Sequence, residues 1–163
     1  MNIKPYIAIG FWYGEGKDSD LPDPAWFVDE NYPEQEKKEV IDYLKKGKKV
    51  NLYRGWSNCR ICGEKTPGGS DDTDGLYVFP SGLVHYVEKH NLRLPDEFIQ
   101  RVKEKGPIIE ISRIDLSEIS ITKASFEWWK NQKGIDPSRS SRNNAKDHNL
   151  KLDFVDDDDD LIL

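Results

Sequence analysis

Asn58-Cys59-Arg60-Ile61-Cys62-Gly63, and then Thr73-Asp74-Gly75-Leu76-Tyr77-Val78-Phe79-Pro80-Ser81-Gly82-Leu83-Val84-His85-Tyr86-Val87-Glu88-Lys89-His90, decide how this chain is read. Cys-x2-Cys followed by Gly is the spacing of a metal knuckle. Two thiolates converge on one ion across a tight turn, and Gly63 permits the backbone conformation that closes it. Twenty-two residues separate Cys62 from His85, and four separate His85 from His90. The chain has two Cys and three His, and four of these five fall in this one segment. Zinc takes four soft or borderline donors in a tetrahedron, so Cys59, Cys62, His85 and His90 are the expected ligands of a structural zinc ion.

His85 and His90 fall on one predicted helix. An ideal helix sets them about 140° apart, so both reach one ion only if the last turn loosens or His90 sits just past it. The central spacing is longer than the ~12 residues of DNA-reading fingers. It leaves room for a hairpin between knuckle and helix, as in treble-clef-like modules. A redox Cys-x2-Cys would need a βαβ setting that the flanking sequence lacks, and it would leave both His unexplained. A catalytic zinc would need an open position. That requires His90 to stay out of the shell, with Asp71, Asp72 or Asp74 as general base.

Outward from this segment, the pattern is α+β. Strands are expected over 6–12, 50–53, 76–79, 108–111 and 114–121 from their branched and aromatic residues. Helices are expected over 33–46, 82–90 and 96–105. Asp29 or Asn31 would cap the first, Ser81 the second, and Pro95 would open the third. Thr122 would cap a fourth, carrying Phe126, Trp128 and Trp129 to Gly134. Val40, Ile41 and Leu44 form the expected apolar stripe of the first helix, with Tyr43 at its edge. The stretch from Gly63 to Gly75 reads as a Gly/Asp-rich turn region, because Asp74-Gly75 is a good turn pair. The prediction is one compact domain over 1–134 with a short sheet and about four helices. Residues 135–163 read as a mostly disordered acidic tail.

The chain has 163 residues and a formal charge of -6. Residues 135–163 hold eight Asp against four Lys/Arg, so the acidity is concentrated there. Inside the body lies an opposite cluster: Lys37, Lys38, Lys45, Lys46, Lys48, Lys49, Arg54 and Arg60, with only Glu39 and Asp42 among them. It is either a solvated face or a patch for a polyanion or acidic partner. The end of the chain, Asp156, Asp157, Asp158, Asp159 and Asp160 followed by Leu161, Ile162 and Leu163, is either a solubilising tail or a short docking motif for a partner protein. No apolar run reaches the ~18 residues of a membrane span. No signal-peptide pattern opens the chain, so a cytoplasmic location is expected. Phosphate-binding, dinucleotide-binding and nucleophile-elbow motifs are missing.

The segment around the Cys and His residues resembles a group of small, uncharacterised bacterial proteins. They share the Cys-Arg-x-Cys-Gly knuckle of residues 59–63, the Thr-Asp-Gly turn of 73–75 and the Pro-x-Gly-Leu-x-His-Tyr-Val helix start of 80–87. The similarity extends over roughly residues 10–100. Phe79, where Trp is expected, and the acidic tail depart from the pattern. The resemblance implies a bacterial or phage protein and brings no activity with it.

Small size, acidity and aromatic content fit a zinc-stabilised protein-interaction module, such as an immunity-type or inhibitor protein. The alternatives are a nucleic-acid-binding protein using the basic cluster, and a zinc-dependent hydrolase or nuclease.

Overall fold

A computed structural model of the chain describes residues 6–14, 20–52, 58–66, 69–105 and 124–142. It is an α+β fold around one five-stranded sheet. The strands are β1 (Tyr6–Ala8), β2 (Lys48–Leu52), β3 (Ser70–Thr73), β4 (Tyr77–Pro80) and β5 (Ala124–Ser125). The helices are α1 (Glu34–Lys45), α2 (Leu83–His90), α3 (Asp96–Lys105) and the single turn α4 (Glu127–Lys130). The sheet order is β2-β3-β4-β1-β5. The first three strands are antiparallel, and β1 runs parallel to both of its neighbours.

This order positions the knuckle. Residues 58–66 connect β2 to β3, the β3–β4 hairpin follows, and α2 starts directly after β4. The hairpin that the long Cys-to-His spacing allowed is therefore present.

The core is aromatic at two centres. Trp12, Phe27 and Trp129 pack with ring centroids 5.3–5.5 Å apart, and Tyr86 of α2 joins them through Trp12 at 5.4 Å. Phe98 of α3 takes Tyr43 and Tyr77 edge-on at 5.7 and 5.0 Å. Such rings give large apolar burial in a small volume.

Several expectations are corrected. Residues 70–73 are a fully buried strand rather than part of a turn region. Its side chains are polar but paired: the Ser70 hydroxyl donates to Asp72 at 2.9 Å, and the Thr73 hydroxyl donates to the Tyr77 carbonyl at 2.7 Å. Burial of polar groups is tolerated when each finds a partner.

On α1, Tyr43 is fully buried and Ile41 only partly, the reverse of the expected stripe. The Tyr43 hydroxyl has a buried acceptor in Asp74, and that bond lets the ring go inside. The α1 cap position is Pro33, without a side-chain cap, while Asp29 closes a turn onto the Asn31 N–H. At α2 the cap position is Gly82. Ser81 instead accepts from the Gly69 and Ser70 N–H groups and fastens the start of β3. The expected fourth helix begins only at Glu127, because residues 124–125 pair with β1.

The expected boundary at 134/135 does not coincide with an end of packing: residues 135–142 lie against the body. The Ile135 and Asp136 N–H groups donate to the Trp26 carbonyl, and Ser141 is buried. The strands expected over 108–111 and 114–121 fall outside the described residues, as do Arg54 and residues 143–163.

Candidate metal centre

The knuckle is built by backbone hydrogen bonds before any ion is considered. The Cys59 N–H donates to the Glu64 carbonyl and the Gly63 N–H to the Cys59 carbonyl, both at 2.8 Å. Gly63 has φ 80°, a left-handed conformation that a Cβ would strain. The Ile61 and Cys62 N–H groups point at the Cys59 sulfur, at 3.3 and 3.5 Å. Two N–H donors aimed at one sulfur favour the thiolate form.

Helix α2 supplies the imidazoles. His85 is its third residue, within the first turn, and His90 is its last, followed by Asn91 in a left-handed conformation. The ring centroids of His85 and His90 are 5.3 Å apart, so the helix end brings together what an ideal helix would splay. The His85 Nε2 lies 3.4 Å from the Cys62 sulfur. Taken together, one donor atom from each of Cys59, Cys62, His85 and His90 lies within 4.8 Å of every other. These four residues can hold a metal ion.

The donor set fits a metal on a second count. The Nε2 of His90 is buried and has no hydrogen-bond partner among the described residues. A buried ring nitrogen left unpaired costs free energy, and a metal ion is a partner that would remove the cost. Burial lowers the pKa of both His85 and His90, and for His90 the neighbouring His85 lowers it further. Both rings are thus held toward the neutral form that ligates metals. Burial pushes the Cys59 thiol up to about 11, opposed by the two backbone N–H donors. A bound cation would reverse that balance by stabilising the thiolate.

Around the donors stands a supporting set that the sequence reading missed. The Arg60 N–H donates to the Tyr86 hydroxyl at 2.8 Å, which joins the knuckle to α2. The Arg60 guanidinium donates to the Tyr13 carbonyl at 3.1 Å and to the Asn58 carbonyl at 2.9 Å. The only sequence signal for Tyr86 was its place beside His85 and one turn before His90.

The acidic residues considered as general bases are otherwise engaged. Asp74 accepts from the Leu76 and Tyr77 N–H groups with one oxygen, at 2.9 and 2.8 Å. Its other oxygen takes the Tyr43 hydroxyl at 2.6 Å and the Arg101 Nε at 2.7 Å. Asp72 is tied to Ser70 and lies 3.9 Å from the Lys49 ammonium. Asp71 is buried within the sheet.

The basic cluster is also partly dispersed. Lys37 donates to Asn91 at 2.7 Å, Lys49 faces Asp72, and Arg60 holds the knuckle. Lys38, Lys45, Lys46, Lys48 and Lys49 stay exposed, with Asp42 one helical turn from both Lys38 and Lys45.

No helix among the described residues is long and apolar enough to cross a membrane. No protein family, curated protein or solved structure matches the chain.

Proposed function

We propose that this chain binds one zinc ion through Cys59, Cys62, His85 and His90, and that the ion is structural. The single observation that carries the reading is the convergence of two sulfurs and two imidazoles on one point, with the His90 Nε2 left buried and unpaired. Zinc is favoured by the mixed thiolate and imidazole set, which suits its borderline softness. A four-donor shell closes the ion to substrate. In this reading the ion ties the knuckle, the β3–β4 hairpin and α2 into a treble-clef-like unit.

The biological role we propose for the stabilised domain is protein binding. The near-neutral body, together with the run Asp156–Asp160 followed by Leu161-Ile162-Leu163, supports this role over nucleic-acid binding. Internal engagement of Lys37 and Arg60 weighs in the same direction, since it leaves fewer cations for phosphates.

Native mass spectrometry of the full chain, before and after a strong chelator, tests the metal reading. One zinc per chain, with loss of the fold on its removal, is the expected result. A chain that retains no zinc, or that keeps an unchanged fold without it, overturns the structural role. Retardation of duplex or single-stranded nucleic acid at about 50 mM salt would move the assignment to the basic cluster.

A further inference from the structure

We infer that residues 135–142 form a latch whose closure is coupled, through Tyr13 and Arg60, to the metal-filled knuckle. The inference rests on the zinc reading above and adds a regulated element to it.

The latch is fastened at three points. Gly134 turns with φ 70° directly against the Trp26 carbonyl, where a Cβ would come within 2.6 Å of the oxygen. The Ile135 and Asp136 N–H groups then donate to that same carbonyl, at 2.7 and 2.9 Å. Further on, the Arg139 guanidinium donates to the Val28 carbonyl at 2.6 Å. The last point is Ser141, only 1% exposed. Its N–H and hydroxyl donate to the two oxygens of Asp23, at 2.9 and 2.7 Å, and its hydroxyl lies 3.0 Å from the Tyr13 hydroxyl.

Tyr13 is the shared piece. Its hydroxyl meets the latch, and the Arg142 guanidinium covers its ring at 4.0 Å. Its carbonyl accepts from Arg60, whose guanidinium stands 5.5 Å from the ring centroid. Arg60 lies in the chain between the two Cys ligands, and its own N–H is bonded to Tyr86 of α2. Its position is therefore set by the knuckle that the metal would fix. If the knuckle opens, Arg60 leaves Tyr13, and the ring that orients Ser141 and Arg142 loses its anchor. Contacts made in one state only are what couple two sites, and the coupling is reciprocal: a filled knuckle favours a closed latch, and a closed latch favours zinc.

The test is a double-mutant cycle on the full chain. The zinc dissociation constant is measured by competition with a chromophoric chelator for wild type, Ser141→Ala, Arg60→Lys and the double variant. Arg60→Lys keeps the charge but cannot hold both carbonyls from one rigid fork. S141A is expected to weaken zinc binding about fivefold in the wild-type background, at the low end of ordinary inter-site coupling, and to have no further effect in R60K. A general loss of stability would lower zinc affinity by the same factor in both backgrounds, and that result overturns the latch. Equal zinc affinity in wild type and S141A overturns it as well.

Hydrogen exchange on the zinc-loaded proteins gives the second readout. Residues 135–142 should exchange faster in R60K than in wild type while α3 is unchanged; equal protection of 135–142 overturns the coupling. If R60K does not fold, Tyr13→Phe replaces it. Y13F removes only the hydroxyl facing Ser141, and it must itself weaken zinc binding for the inference to stand. Absence of zinc from the wild-type chain is a separate result, and it overturns the metal site and the latch together.

Discussion

Two polar clusters lie within this small fold, and they differ in what they leave unpaired. At the β3–β4 turn, Asp74 has no exposed side-chain surface, yet both its oxygens are taken by Tyr43, Arg101 and two backbone N–H groups. That cluster is complete within the chain. At the knuckle, the two thiols and two imidazoles face one another, and a buried imidazole nitrogen has no partner among the described residues. A cluster that satisfies itself is a structural element. A cluster of the same compactness that leaves an atom unpaired, and whose atoms are metal donors, calls for a group from outside.

The largest effect that could break this comparison is at the knuckle. Replacing Cys59 or Cys62 by Ala should abolish zinc retention and the cooperative thermal transition. Apparent zinc-binding energies of about 10–16 kcal/mol in finger peptides match or exceed the ~5–15 kcal/mol total stability of a typical domain. A Cys62→Ala variant with wild-type Tm would show that the knuckle is as self-sufficient as the Asp74 cluster. Next in size is Asp74→Ala, which leaves the Arg101 charge and the Tyr43 hydroxyl without their acceptor. It should cost about 3–5 kcal/mol in denaturant unfolding while zinc stoichiometry stays at one. Loss of zinc from D74A would mean that the two clusters are not separable.

A smaller effect sharpens the comparison from the metal side. The Tyr86 hydroxyl accepts the Arg60 N–H, and Cys59 is among the groups acting on it. Tyr86→Phe keeps the ring against Trp12 and removes only that support. Zinc affinity should fall about tenfold, with little change in the folded spectrum, as when groups around a metal shell are removed. An unchanged zinc constant would show that the hydroxyl serves packing alone.

The two clusters were unequally legible in the sequence. Cys59, Cys62, His85 and His90 stand out because metal donors are chemically rare and because each half of the set, Cys-x2-Cys and His-x4-His, is local. Helices α1 to α3 were legible because Pro33, Gly47 and Pro95 punctuate them and because apolar residues recur at helical spacing. Strand β3 was not, because Ser-Asp-Asp-Thr carries no apolar alternation; its burial depends on partners from other elements, such as Tyr77 and Lys49. Tyr43 was misplaced for the same reason, since its acceptor lies 31 residues on. The latch was hidden by composition. Ser, Arg and Asp read as solvated chain, whereas a single pairing of Ser141 with Asp23, across 118 residues, puts Ser141 inside.

Asp72 stands between the two clusters in kind, and its behaviour with pH gives the smallest test. Burial raises its pKa and the adjacent Asp71 adds to the rise, while the Ser70 hydroxyl and the exposed Lys49 lower it only in part. The native state therefore holds the Asp72 proton more tightly than the unfolded chain does. The stability contributed by that protonated form is complete below the ordinary carboxylate range and is lost as pH rises through the raised native value. At neutral pH the charged side chain is then a small net cost, unlike Asp74 with its close guanidinium. Asp72→Asn keeps an acceptor for Ser70 and removes the charge. It should be more stable than wild type at pH 7 by up to about 1 kcal/mol, with the gain vanishing near pH 4, because only a buried, weakly paired carboxylate carries the penalty. Urea unfolding at pH 4, 5.5 and 7 measures the difference. A D72N variant that is less stable at pH 7 would mean that the Lys49 pair outweighs desolvation, and that Asp72 belongs with Asp74 among the acids the fold uses as fasteners.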